Sequence, residues 1–136
     1  MFINYEKSCT TGIFYVKIRR KKLDKEQINI ETIKKYVMQR KIIWTKHCLN
    51  RLNQRNILIT DVKTAISNGS IIEYYYNDYP YPSCLILGKG KNNRDIHIVC
   101  GVGQGFICII TAYYPDIDKW EKDMKTRREE SELFYV

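Results

Sequence analysis

His47, Arg51 and Arg55 are spaced i, i+4 and i+8. On a helix that spacing sets all three on one face, with Asn50 and Gln54 extending the polar stripe. One imidazole and two guanidiniums suit a phosphodiester, because arginine grips phosphate through two parallel hydrogen bonds and histidine exchanges a proton near pH 7. A basic helix face that is merely solvated has the same composition. The second histidine, His97, is the only polar residue in the apolar run Ile96-His97-Ile98-Val99-Cys100. Strand alternation sets it opposite Ile96, Ile98 and Cys100. If those three face a helical layer, His97 faces the open side; the alternative is a core histidine satisfied inside the fold. Lys91 and Arg94 precede it in a loop, and Thr111 and Tyr113 share one face of the strand that follows.

Other chemistries lack their residues. No cluster of His, Cys, Asp and Glu has metal-ligand spacing. There is no G-x-x-x-x-G-K-[ST] phosphate loop, and Gly101-x-Gly103-x-Gly105 lies between two predicted strands, where it reads as a hairpin turn. A G-x-S-x-G elbow is absent. What remains is metal-free, cofactor-free acid–base work on a phosphate ester. RNA carries its own nucleophile in the ribose 2′-hydroxyl, so a base, an acid and a few cations suffice. Among the 11 tyrosines, Tyr74 to Tyr76 read best as alternating core and solvent positions. Tyr79 and Tyr81, in a turn, suit stacking on unpaired bases equally well.

The elements that must position these groups follow from periodicity. Gly12 to Ile18 could form a strand, running into the base cluster Arg19-Arg20-Lys21-Lys22. Asp24 and Gln27 resemble a capping box ahead of a helix from about Lys25 or Ile30 to Arg40, with Ile33, Tyr36 and Val37 on one face. Thr45 is a good N-cap for a second helix reaching about Arg55, whose apolar arc is Trp44, Cys48, Leu49 and Leu52. Thr60 is the expected cap of a third helix carrying Val62, Ala65 and Ile66, stopped by Asn68-Gly69. The period then changes to two. Strands are expected at Ile71–Tyr76, Ser83–Leu87, Ile96–Gly101 and Phe106–Tyr113, followed by a last helix containing Trp120 and Met124. The predicted class is α+β, with N-terminal helices packed on one face of a four-stranded antiparallel sheet and a C-terminal helix.

Length and charge agree with a single domain. The chain has 136 residues, 23 of them basic and 15 acidic, for a net charge of +8. All the bases precede residue 129, and the tail adds Glu129, Glu130 and Glu132. A body this basic attracts anionic polymers, or is simply soluble. No apolar run approaches the roughly 20 residues of a membrane span, and no secretory signal is evident. Five cysteines, an odd number with no C-x-x-C, argue against a disulfide framework or zinc site and for a reduced, cytoplasmic setting. Cys100 and Cys108 read as core thiols.

Several ordered motifs together resemble one small bacterial family of unknown function that is grouped with the RelE/ParE-like toxins. They are Trp44-Thr45-Lys46-His47, Arg51-Leu52, Arg55, Ile57, Asp61-Val62, Ala65-Ile66, Gly69, Ile71-Ile72-Glu73, Tyr79-Pro80, Pro82-Ser83-Cys84-Leu85, Ile96 to Cys100, Ile109 to Tyr113, Pro115 and Trp120. The resemblance runs from about Ile43 to Arg128 and does not reach Met1 to Lys22. It implies a RelE-like toxin domain over 24–128, between an extension at 1–23 and an acidic tail at 129–136. It also implies the toxin of a type II toxin–antitoxin pair, with an antitoxin carrying an MqsA-type zinc-finger domain as partner. RelE-like enzymes cut mRNA without a metal, commonly on the ribosome, although a well-studied RelE enzyme has no catalytic histidine pair. The family's polar positions fall on His47, Arg51, Arg55, His97, Thr111 and Tyr113.

The leading expectation is a metal-independent endoribonuclease. His97 or His47 would be general acid or base. Arg51 and Arg55 would stabilise the phosphate, and Tyr113 would orient or protonate the scissile group. Lys91, Arg94, Thr111 and Tyr81 would hold RNA. The competing expectation is a non-catalytic basic module of ParE type that docks an antitoxin or a nucleic-acid-associated target. Convergence of His47, Arg51, Arg55 and His97 within one phosphate's reach would favour the enzyme; scatter would favour the binder.

Overall fold

A computed structural model describes residues 28–129. The expected strand at Gly12 to Ile18, the Asp24–Gln27 capping box and most of the acidic tail lie outside them. Three helices are described: α1 (Ile30–Met38), α2 (Lys46–Gln54) and α3 (Ile59–Asn68). They pack on a sheet of β1 (Ile42–Trp44), β2 (Ser70–Tyr75), β3 (Ser83–Lys89), β4 (Asp95–Val102) and β5 (Ile107–Tyr113).

Local chemistry sets the helix starts. Asn29 accepts from the Thr32 N–H at 2.8 Å to cap α1, and Thr45 accepts from the Cys48 N–H at 3.0 Å to cap α2. Thr60 is not a cap. α3 begins one residue before it, and the Asp61 carboxylate accepts from the Leu58 N–H at 3.2 Å, closing the first turn from inside. Gly69 ends α3 in extended backbone. Space demands glycine there, since a Cβ would stand 2.5 Å from the Ala65 carbonyl oxygen.

The sheet differs from the expected four-stranded antiparallel meander. Among the described residues it has five strands in the order β1-β5-β4-β3-β2, and β1 runs parallel to β5. β1 is only Ile42–Trp44, too short to show a period of two, and Trp44 reads equally well as part of the α2 apolar arc. The expected C-terminal helix is also absent. Residues 115–129 form turns with one bridge, Trp120 to Arg127. Asp123 accepts the Lys125 and Thr126 N–H groups, and Met124 has φ of 58°, which a helix does not tolerate.

The main core lies between the helices and one sheet face. Ile33, Cys48, Leu52, Val62, Ala65 and Ile66 meet Cys84, Ile86, Ile96, Ile98, Cys100, Ile107 and Ile109 there. Leu49, expected in the α2 apolar arc, is 38% exposed, because α2 seats itself through Cys48 and Leu52.

Two bulges decide what the opposite face carries. In β5, Ile109 pairs with Cys100 but Thr111 pairs with Val99, so Ile110 is the extra residue. Ile107 and Ile109 therefore join the core, while Thr111 and Tyr113 turn to the other side with His97. In β2 the irregularity between Ile71 and Glu73 likewise sends Glu73 and Tyr75 to that side.

Candidate functional site

The face opposite the helices gathers polar groups around His97. That residue is fully buried, not open as its alternation pattern suggests, because residues 115–129 cover it. Its Nε2 lies 2.7 Å from the Met124 carbonyl oxygen. A carbonyl only accepts, so Nε2 carries the proton and Nδ1 holds a lone pair. Nδ1 has no hydrogen-bond partner among the described residues. The ring meets Trp120 edge-on at 4.5 Å and Tyr113 at 5.4 Å. Burial holds His97 below the ordinary imidazole range, against the Met124 carbonyl and the charges of Glu73 and Asp95. Burial likewise raises Tyr113 above the ordinary phenol.

Arg55 reaches this face from the end of α2. Its Nη1 donates to Thr111 Oγ1 at 2.9 Å and to the Ala112 carbonyl at 2.9 Å. Its guanidinium carbon lies 6.0 Å from the Tyr113 ring centre. Tyr113 is therefore a neighbour of both Arg55 and His97. Thr111, expected to touch RNA, accepts this hydrogen bond from Arg55. His47 and Arg51 are exposed and make no side-chain hydrogen bond among the described residues. Eight residues of helix set His47 about 12 Å from Arg55 along the axis. The four-residue convergence is thus only partial: Arg55 and His97 share a neighbour, Arg51 lies one turn back, and His47 lies at the far end of α2.

The loop before β4 adds cations at the same end of the sheet. Arg94 lies 3.4 Å over the Tyr114 ring, and the Tyr114 hydroxyl reaches the Asn56 carbonyl at 3.4 Å. Buried Asp61 accepts from the Lys91 N–H at 3.1 Å, fixing the loop to the start of α3. Lys91, Lys89 and Lys125 border an open groove of about 510 Å³. Tyr81 is elsewhere. It packs edge-on against Phe106 at 5.2 Å, next to the opposite end of β4, some four residues or about 13 Å from His97.

Sequence reasoning missed a second group. Arg127 donates from Nε and Nη2 to the two Glu73 oxygens at 2.8 and 2.9 Å, and lies 4.7 Å over Trp120. Tyr75 donates to Glu73 as well. The Arg127 hydrogen bonds hold Glu73 below the usual carboxylate range. Burial and the Glu73 contact push Tyr75 up to about 12. The only signal in the sequence is that Glu73 and Tyr75 share a strand face, which the bulge between Ile71 and Glu73 obscures.

The profile of a family described as a domain of unknown function, DUF4258, matches residues 44–114. The chain belongs to that family. The DUF4258 match spans α2 through β5 and so includes His47, Arg51, Arg55, Glu73, Lys91, Arg94, His97, Thr111 and Tyr113. It ends before the segment that covers His97. No curated protein and no solved structure matches the sequence.

Chemically, this DUF4258 domain combines an exposed cationic helix face with a covered imidazole–phenol pair. Among the described residues no three His, Cys, Asp or Glu side chains are placed to hold a metal ion. No described helix is long and apolar enough to cross a membrane. Cys48 is pushed up to about 11 by burial and by Cys108, and Cys100 is raised well above the ordinary thiol by its hydrogen bond with Cys84 and by burial. Neither is a thiolate nucleophile at neutral pH.

Proposed function

We propose that this chain is a toxin that acts on RNA, docking to its phosphates through the α2 face. The carrying observation is the contrast along that face. Arg55 is anchored to the sheet, while Arg51 and His47 stand exposed and uncommitted among the described residues. Arg94, stacked on Tyr114, extends the cationic surface around the end of β5. Exposed cations on a fixed scaffold bind a polyanion by releasing its counterions. The toxin role, and an antitoxin with an MqsA-type zinc finger as partner, rest on the resemblance of the motifs between Ile43 and Arg128 to RelE/ParE-like toxins.

The test is twofold. Single-stranded RNA binding is titrated at several salt concentrations for wild type and Arg51→Ala. Both proteins are also expressed inducibly in a bacterium, with growth followed and mRNA ends mapped. Salt-dependent binding and growth arrest, both weakened in Arg51→Ala, support the reading. Binding that ignores salt, or an Arg51→Ala chain that arrests growth as wild type does, sinks it.

Cleavage is the second reading, and one observation favours it: Tyr113 neighbours both the His97 ring and the Arg55 guanidinium. A base, a hydroxyl and a cation are the parts needed to activate a ribose 2′-hydroxyl. In the described arrangement the Met124 carbonyl occupies Nε2, and Nδ1 is shut away from solvent. New mRNA ends that disappear in His97→Gln would favour cleavage; growth arrest without new ends leaves docking as the activity.

A further inference from the structure

Residues 115–129 close over His97, and they are fastened in an uncommon way. Their backbone hydrogen bonds with described residues all close within the segment. Lys119 and Trp120 donate to the Asp116 carbonyl, Glu121 to Thr126, Met124 to Glu121 and Arg128 to Lys119. The Asp123 carboxylate accepts from the Lys125 and Thr126 N–H groups and from the Thr126 hydroxyl. The segment is a self-closed unit of turns.

Among the described residues, side chains attach it to the sheet at three points. The Met124 carbonyl accepts from His97 Nε2, the Trp120 ring packs against His97, and Arg127 pairs with Glu73. Two of the three run through one imidazole. Met124, which presents the accepting carbonyl, has φ of 58°, a region disfavoured for a residue with a side chain.

That imidazole fits its place in one protonation state. His97 has no exposed surface, and its Nδ1 lacks a partner among the described residues. A second proton would place a charge and an unpartnered N–H where water does not reach, a costly combination. The groups facing the ring come from every packed element. Glu73 on β2 and Asp95 on β4 favour the imidazolium, while Arg127 on the covering segment opposes it. Tyr113 on β5 and Trp120 present rings. Glu73 is already paired with Arg127.

We propose that residues 115–129 are a strap that neutral His97 holds shut and that releases when the ring takes a second proton. Release uncovers a polar floor of His97, Tyr113, Glu73 and Tyr75 beside Arg55. The closed form holds His97 below the ordinary imidazole value of about 6.5, to which solvent exposure returns it. Closure is therefore complete above about pH 6.5 and weakens as pH falls from there toward the closed-form value. Across that window the open-to-closed ratio rises by up to about tenfold per pH unit. The device does not depend on RNA binding.

The test is an NMR titration of the full chain from pH 8 to 5 without RNA. The Trp120 indole and the Met124 and Arg127 amides are expected to move in step with the His97 ring, with a midpoint below 6.5. The Trp44 indole, packed against the main core, stays in place. His97→Gln keeps an N–H donor but cannot titrate, so it abolishes the movement. Arg127→Gln, which cuts the third fastening, moves the midpoint up toward 6.5 and keeps the test open if His97→Gln does not fold. Strap signals that stay still while His97 titrates overturn the proposal. So do a ring that takes no proton down to pH 5 and an unmoved midpoint in Arg127→Gln.

Discussion

Arg55 and Thr111 are 56 residues apart in sequence and joined by a 2.9 Å hydrogen bond from the guanidinium to the hydroxyl. The same nitrogen donates to the Ala112 carbonyl. Arg55 is therefore a structural tie between α2 and β5 as well as a cation. Arg55→Ala is expected to cost about 1.5–3 kcal/mol, the range for charge-assisted hydrogen bonds, and Thr111→Val about 1 kcal/mol. Urea unfolding at pH 7 measures both. An Arg55→Ala midpoint equal to wild type would remove the tie.

Arg51 separates binding from stability. It is exposed and donates to no side chain among the described residues. Arg51→Ala should leave stability within about 0.5 kcal/mol. Its RNA affinity should fall, and the slope of log K against log salt should shrink by about 0.7, the share of one phosphate contact on a single strand. Loss of affinity with an unchanged slope would mean that Arg51 touches no phosphate.

Much of this arrangement is legible in the sequence. Thr45, the Val62-Ala65-Ile66 spacing and the alternation around His97 predict α2, α3 and β4 because each is a local signal read over a few residues. The missing parts are those that local period cannot encode. β1 has only three residues. The bulge at Ile110 sends Ile109 and Thr111 to opposite faces, where strict alternation puts them together. The apolar spacing of Trp120 and Met124 suggests a helix, but Asp123 accepts neighbouring N–H groups and turns the chain instead. His97 is placed on the correct face by alternation; only the tertiary fold shows that Trp120 and Met124 cover it.

Gly88 tests how closely α3 lies on β3. A Cβ at Gly88 would stand 1.8 Å from the Ala65 carbonyl oxygen, and helix backbone has little room to give. Gly88→Ala is expected to destabilise by about 1–3 kcal/mol or more, the range for overpacking. Gly101→Ala is the control, since its nearest neighbours lie 3.6 Å away in ordinary contact. Equal unfolding midpoints for the two variants would contradict the close approach of α3.

The Glu73–Arg127 pair predicts an acid-dependent contribution distinct from that of His97. Two Arg127 hydrogen bonds hold the Glu73 carboxyl below its ordinary value. A depressed carboxylate stabilises the folded state above its unfolded value of about 4.3, and loses that contribution as pH falls through the folded value. The Arg127 side chain is 59% exposed, so solvent screens the pair and its worth is about 1 kcal/mol or less. Tyr75, raised to about 12, remains a hydroxyl donor to Glu73 throughout. Glu73→Gln should therefore be less stable than wild type by up to about 1 kcal/mol at pH 7, with the gap closing toward pH 3 and narrowing in high salt. Urea unfolding at both pH values decides it. A deficit that is the same at pH 3 and pH 7 would mean that Glu73 contributes by packing rather than by charge.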